Sequence, residues 1–183
     1  MRTFMAVETT QEVSNRISYV QEKLKKSGFY GSWPVTRNVH LTLFFFGEIE
    51  EAKTKGIIEV MDEVATKTGK FELITHGTSF FPSKGLPRVI WLGCEGEGVR
   101  NLYKSLKGPL KKIGFNFGNE FTPHITVGRI KGVPKNWRKK ISEVEYDPVK
   151  FTCSYVNLLS SKLTPHGSIY TTIHKSKLGG LKL

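Results

Sequence analysis

Cysteine is scarce in this chain, and neither a long apolar run nor a stretch of simple composition occurs in it. Two cysteines, Cys94 and Cys153, stand among 183 residues without CxxC spacing. A disulfide framework and a cysteine-built zinc site are therefore poor fits, and buried free thiols are the expectation. No apolar run is longer than Leu43 to Phe46, which is far too short for a membrane span. The first residues lead directly into the strand-like Thr3-Phe4-Met5-Ala6-Val7, with no pattern of a targeting leader. A cytoplasmic protein without membrane contact is expected. A glycine-rich dinucleotide loop is also missing: Gly93, Gly96 and Gly98 give G-x-x-G-x-G with Glu95 and Glu97 between them, where G-x-G-x-x-G is required.

Acidic residues are few. Sixteen Asp and Glu face 28 Lys and Arg, leaving a net charge of +12, which favours an anionic partner, with nucleic acid first and phosphorylated small molecules second. The basic runs Lys23 to Lys26, Lys111-Lys112 and Arg138 to Lys140 fall at predicted helix ends, and Lys175, Lys177 and Lys182 mark the tail. With 38% hydrophobic and 11% aromatic residues the chain can bury a real core. A single unit over 1–183, acting as a monomer, is the expectation.

The order of elements repeats along the chain. A strand at Thr3-Val7 leads through Thr9 and Glu12, spaced as a capping box, into a helix with Val13, Ile17, Val20 and Leu24 on one face. A strand from Val39 to Phe46 follows, then a helix striped by Ile57, Met61 and Val64, and a short strand at Phe71 to Thr75 that completes the first half. The second half reads likewise. It has a strand at Arg88 to Leu92, a helix with Val99, Leu102, Leu106, Leu110 and Ile113, a strand after Pro123, a short helix near Trp137 to Ile141, and a strand near Phe151 to Leu159. This order predicts an α+β fold of two pseudo-symmetric lobes, with approximate repeat halves 1–80 and 86–160. Each lobe is a small antiparallel or mixed sheet with helices on its outer face, around a central cleft. Strands at Phe151 to Leu159 and Ser168 to Ile173 complete one lobe.

What the chain does have is one short pattern twice. His40-Leu41-Thr42-Leu43 and His124-Ile125-Thr126-Val127 lie 84 residues apart, each in a β-prone run. Alternate strand residues share a face, so each His projects with its Thr while the apolar residues point to a core. One such tetrad carries little information. Two in matching surroundings are poorly explained by packing, and they suggest a site built from two equivalent halves.

Two imidazoles can divide proton transfer, one taking a proton from an incoming oxygen and the other supplying a proton to the oxygen that leaves. Phosphodiester chemistry suits that arrangement, because attack and departure occur on opposite sides of phosphorus. Threonine hydroxyls can hold the nonbridging oxygens as charge builds on them. No acidic or cysteine ligand is usefully spaced from either histidine, so catalysis without metal or cofactor is expected.

These motifs resemble the 2H phosphoesterase superfamily, and within it the RNA 2′,3′-cyclic phosphodiesterase group also called 2′-5′ RNA ligase. The resemblance rests on Trp33-Pro34 and Asn38 to Leu43, then Phe45-Phe46-Gly47-Glu48; on Phe80-Phe81-Pro82 and Pro87 to Gly93; on Phe121 to Arg129; and on Leu159 to Leu163 with Gly167 and Tyr170. It runs almost end to end. It implies two α+β lobes about a cleft and opening of a terminal 2′,3′-cyclic phosphate to a 2′-phosphomonoester. By the same resemblance His40 is the acid that protonates O3′, His124 is the base that activates water, and Thr42 and Thr126 bind the phosphate. The older name implies joining through a 5′-hydroxyl as a second direction. RNA ends, tRNA halves included, are the implied partners.

Three further residues are candidates for substrate contact. Arg129 follows the second tetrad, although strict alternation sets it on the face opposite His124. Arg88 begins a strand. Phe46, in phase with His40, is the candidate for stacking on a base. His76 and His166 read as loop residues and His174 as a strand end. Competing readings are a phosphodiesterase for a small cyclic nucleotide or ADP-ribose cyclic phosphate, and a module that holds RNA ends without turnover.

Overall fold

The computed structural model describes residues 1–118, 120–165 and 167–179. His166 and Lys182, two residues of the sequence reading, lie outside that set. In chain order the elements are β1 (Arg2–Glu8), α1 (Gln11–Lys26), β2 (Tyr30–Ser32), β3 (His40–Glu48), α2 (Thr54–Lys67), β4 (Phe71–Ser83), β5 (Leu86–Glu95), α3 (Glu97–Lys112), β6 (His124–Gly132), α4 (Trp137–Ser142), β7 (Lys150–Cys153), β8 (Tyr155–Thr164) and β9 (Gly167–Lys177).

Two sheets result, a four-stranded one in the order β3-β1-β8-β9 and a five-stranded one in the order β2-β6-β5-β4-β7. Every pairing in them is antiparallel. This is the α+β, two-lobed architecture read from the sequence. α2 covers β8 and β9, α1 lies on β6, and α3 and α4 pack on β4. The helical stripes fall where the 3.6-residue period puts them. Val13, Ile17, Val20 and Leu24 of α1 and Ile57 and Met61 of α2 are fully buried. Ile113 is the exception, exposed at the C-cap of α3. α1 starts one residue later than the capping-box reading, with Thr10 as N-cap accepting from the Val13 amide; Thr9 instead donates to the Val39 carbonyl at 2.9 Å.

The strand at Phe71 does not complete the first half. It runs thirteen residues and pairs with β5 and β7 in the five-stranded sheet. The reason is local: Lys84 and Gly85 both have positive φ, 51° and 78°, the geometry of a two-residue hairpin turn whose twist matches its strands. Its flanking pair is Ser83 and Leu86, and β4 is committed to β5 whatever half it comes from. The C-terminal region also divides differently. β7 ends at Cys153, Ser154 is the crossing point, and β8 and β9 join β1 in the other sheet. Cys94 and Cys153 are free and buried, and burial pushes both thiol pKa values up to about 12.

Candidate active site

β3 and β6 meet where the lobes abut, and each opens on its histidine. Burial follows the tetrads closely: Leu41, Leu43, Ile125 and Val127 are in the core, while His40, Thr42, His124 and Thr126 are partly open on the other face. The pairing is also equivalent. Ala6 of β1 faces Thr42 and Met5 faces Phe44, so Leu43 is bypassed; Trp91 of β5 faces Thr126 and Ile90 faces Gly128, so Val127 is bypassed. Each strand therefore carries a bulge at the third residue after its histidine, and a bulge reverses the phase of the residues beyond it.

The reversal changes which side chains share the histidine face. Arg129 returns to that face and is exposed, where strict alternation set it on the opposite side. Its charge is felt by both histidines. Phe45 is the counterpart of Arg129, five residues after its own histidine. It is 56% exposed and its ring lies 5.9 Å from that of Phe4, which in turn lies 4.9 Å from His40. Phe46, the sequence candidate for base stacking, is turned the other way. Its ring packs edge-on against Phe115 at 4.9 Å and against Phe117 at 5.7 Å, at the margin of the core. Arg88 is exposed and donates to the Ile130 carbonyl at 3.3 Å, a contact across the ladder and away from the histidines.

The histidines are anchored identically. Nδ1 of His40 is 2.8 Å from the Asn38 carbonyl and Nδ1 of His124 is 2.7 Å from the Thr122 carbonyl, in both cases two residues upstream. A carbonyl only accepts, so each Nδ1 carries the hydrogen and each Nε2 of the neutral ring keeps its lone pair. Aromatic walls support both rings: Phe4 and Tyr170 beside His40, Phe81 and Trp91 beside His124. Burial lowers both imidazole pKa values below the usual 6.5, and Arg129 lowers both further against the opposing carbonyl bonds. His124 also lowers His40.

The other histidines belong elsewhere. His174 in β9 is 2.8 Å from an Asp62 carboxylate oxygen on α2. His76, expected in a loop, lies in β4 and packs on Gly93, where an added Cβ would meet its Cε1 at 2.6 Å. Among the described residues no group of three His, Cys, Asp or Glu is placed to hold a metal ion. A separate groove of about 760 Å³, lined by Arg16, Tyr19, Tyr146 and Asp147 among others, shares no residue with the histidine pair.

Phe45, missed by the sequence reading, has one detectable signal: it is spaced from His40 as Arg129 is from His124. The family model described as LigT like Phosphoesterase matches twice, over residues 7–91 and 92–170. An RNA 2′,3′-cyclic phosphodiesterase of Thermotoga maritima is 38% identical over 181 residues, covering 98% of this chain and 97% of that one. One of Methanothermobacter thermautotrophicus is 35% identical over 184 residues, covering 97% and 99%. Among solved structures, TT0787 of Thermus thermophilus superposes with a TM-score of 0.82 at 27% identity, over 98% of this chain and 99% of that one.

Proposed function

This chain belongs to the LigT-like phosphoesterase family, and from that membership we propose that it opens RNA 2′,3′-cyclic phosphate ends to 2′-phosphomonoesters by acid–base catalysis with His40 and His124. The relatives that carry the name RNA 2′,3′-cyclic phosphodiesterase match over nearly the whole chain. The observation that carries the proposal is the identical anchoring of the two rings. Both Nδ1 atoms are held by a carbonyl two residues upstream, which frees both Nε2 atoms for proton transfer.

In the proposed step, Nε2 of neutral His124 takes a proton from water as its oxygen attacks phosphorus. The P–O3′ bond breaks, and Nε2–H of protonated His40 gives its proton to O3′. The phosphate stays on O2′, His124 ends protonated and His40 neutral, and one proton exchange with solvent resets the pair. Thr42 and Thr126 donate to the nonbridging oxygens, and Arg129 offsets the charge that builds there. No step is routed through a metal. A 5′-hydroxyl in place of water gives the 2′-5′ linkage by the same path, as a minor direction.

Any RNA cut by its own 2′-hydroxyl carries the required end, tRNA halves included. Two free, buried thiols suit a reducing compartment, and we place the reaction in the cytoplasm, carried out by a monomer. The test is incubation of metal-stripped protein with an RNA oligomer ending in a 2′,3′-cyclic phosphate. A 2′-phosphate product in EDTA is expected. A 3′-phosphate product, or activity that returns only with a divalent ion, overturns the mechanism.

A further inference from the structure

The two lips of the cleft differ in charge. Beyond the bulge in β6, Arg129 and Lys131 project on the histidine face and are both exposed. In β3 the first position on that face beyond the bulge is Phe45; the ladder then bypasses Phe46 as well, and the next residue on the histidine face is the exposed Glu48, paired with the Met1 ammonium at 3.0 Å, so this lip carries no unpaired cation. The β6 lip is also the one widened by an extra strand: β2 pairs Ser32 with Arg129 and Tyr30 with Gly132, and Tyr30 is 68% exposed.

The chain after β6 continues this lip into a basic surface made from two distant runs. Lys140 Nζ donates to the Ser27 carbonyl at 2.9 Å, and Pro134 packs on Gly28. The segment from Lys135 to Lys140 is thereby held against the last turn of α1, with its Lys23, Lys25 and Lys26. Among the described residues, the ion pair Lys139–Glu143 is the only one that any of these cations makes. Arg138 instead lies over the Trp137 ring at 4.4 Å. The helix dipole accounts for lysines in the last turn of α1, but not for Lys131, Lys135 or Arg138, which lie outside it.

Unpaired cations beside an exposed aromatic ring suit a single-stranded RNA, because phosphates need charge and unpaired bases need a flat surface. We propose that the RNA body leaves the cleft along the β6–β2 lip, with Tyr30 stacking on a base and Lys131, Lys135 and Arg138 contacting successive phosphates toward α4. This rests on the RNA-end reading above and adds to it a track outside the catalytic residues. A cyclic mononucleotide reaches only the histidines. An oligomer reaches the track.

The test compares the parent with Lys131→Glu/Lys135→Glu/Arg138→Glu and, separately, with Tyr30→Ala, all at exposed sites and checked for an unchanged Tm. Turnover of a 2′,3′-cyclic mononucleotide and of a cyclic-phosphate RNA oligomer is measured as salt rises, with oligomer binding followed by fluorescence anisotropy. For the oligomer the triple variant should raise KM by about tenfold or more and flatten the logarithmic salt slope by about 0.7 per lost phosphate contact. Tyr30→Ala should weaken oligomer binding without changing that slope. Mononucleotide kcat/KM should stay as in the parent. Oligomer KM, binding and slope unchanged in the triple variant overturn the track while leaving the histidine chemistry standing. A parent inactive on both substrates overturns the chemistry, and anisotropy still decides the track.

Discussion

The Gln21 side chain donates to the carbonyl oxygen of Val127 at 3.0 Å, and Val127 is the residue that the β5–β6 ladder bypasses. A bulge frees a backbone carbonyl from its partner strand, and in a buried position that carbonyl needs another donor. Gln21 is 5% exposed and supplies it from α1, while also donating to the Pro34 carbonyl at 2.9 Å. A helix residue thus holds the irregularity that turns Arg129 toward the histidines.

Gln21→Leu should therefore cost about 1–3 kcal/mol of stability, because it strands two acceptors in the interior. Denaturant unfolding measures that. It should also lower kcat/KM at temperatures where the variant is fully folded, since Arg129 loses the bulge that aims it. Val20→Ala, a cavity in the same helix with loss of stability but no hydrogen bond to the Val127 carbonyl, is the control. Equal activity losses in the two variants at matched stability would reduce Gln21 to a packing residue.

Removing either ring should nearly abolish turnover. General acid–base assistance is worth ~10²–10⁴-fold per positioned group, so His40→Ala and His124→Ala should each fall by that order in kcat. The double variant should be little worse than either, because the proposed mechanism uses both in one proton-transfer cycle. Thr42→Ala and Thr126→Ala should lose less. A kcat for either histidine variant close to the parent's, with circular dichroism unchanged, removes the two-histidine mechanism.

The pH dependence has a definite sign. Burial first, and Arg129 after it, lower both imidazoles from 6.5, and one must be charged while the other is neutral. The kcat/KM profile should be a bell whose optimum lies on the acid side of 6.5, its limbs belonging to the pair. Arg129→Met removes a cause that depresses both groups, so the whole bell should move upward in pH as its height falls. Stability carries the same linkage. Below pH 6.5 the unfolded chain binds protons that the folded histidines refuse, so stability should decline as pH falls through that window. A bell that stays in place in Arg129→Met separates the guanidinium from the rings.

Much of this fold is legible in its residues because hydrophobic period and burial agree. The stripe Val13, Ile17, Val20 and Leu24 faces the core as its spacing requires, and both tetrads present His and Thr on one face. The features that escape a sequence reading are those with no period. The bulges at Leu43 and Val127 leave no mark in composition, yet each reverses the phase of the side chains that follow it, in β3 until a second bypassed residue, Phe46, restores it, which is why alternation alone puts Phe46 and Arg129 on the wrong faces. The Lys84-Gly85 turn ties β4 to β5 although Phe71 to Thr75 looks like the end of the first half. The meeting of Lys140 with Ser27 is tertiary and has no local signature.

The phase reversal in β3 makes a last prediction that separates two adjacent phenylalanines. Phe45 is exposed on the histidine face beside Phe4, whereas Phe46 packs on Phe115 and Phe117. A ring open to solvent contributes little to folding, but a flat exposed ring on the histidine face is free to stack on a base. Phe45→Ala should leave Tm nearly unchanged and raise KM for a cyclic-phosphate RNA, by about 5- to 150-fold if it loses a stack worth about 1–3 kcal/mol. Phe46→Ala should lower Tm and cost less stability than the about 3–5 kcal/mol of a fully buried phenylalanine, because its ring is only partly covered, with KM close to the parent's. Phe45→Leu, which keeps apolar bulk but not the flat ring, should resemble Phe45→Ala in KM. If Phe46→Ala raises KM while Phe45→Ala does not, the bulge fails to set the phase in solution, and the equivalence of Phe45 with Arg129 falls with it.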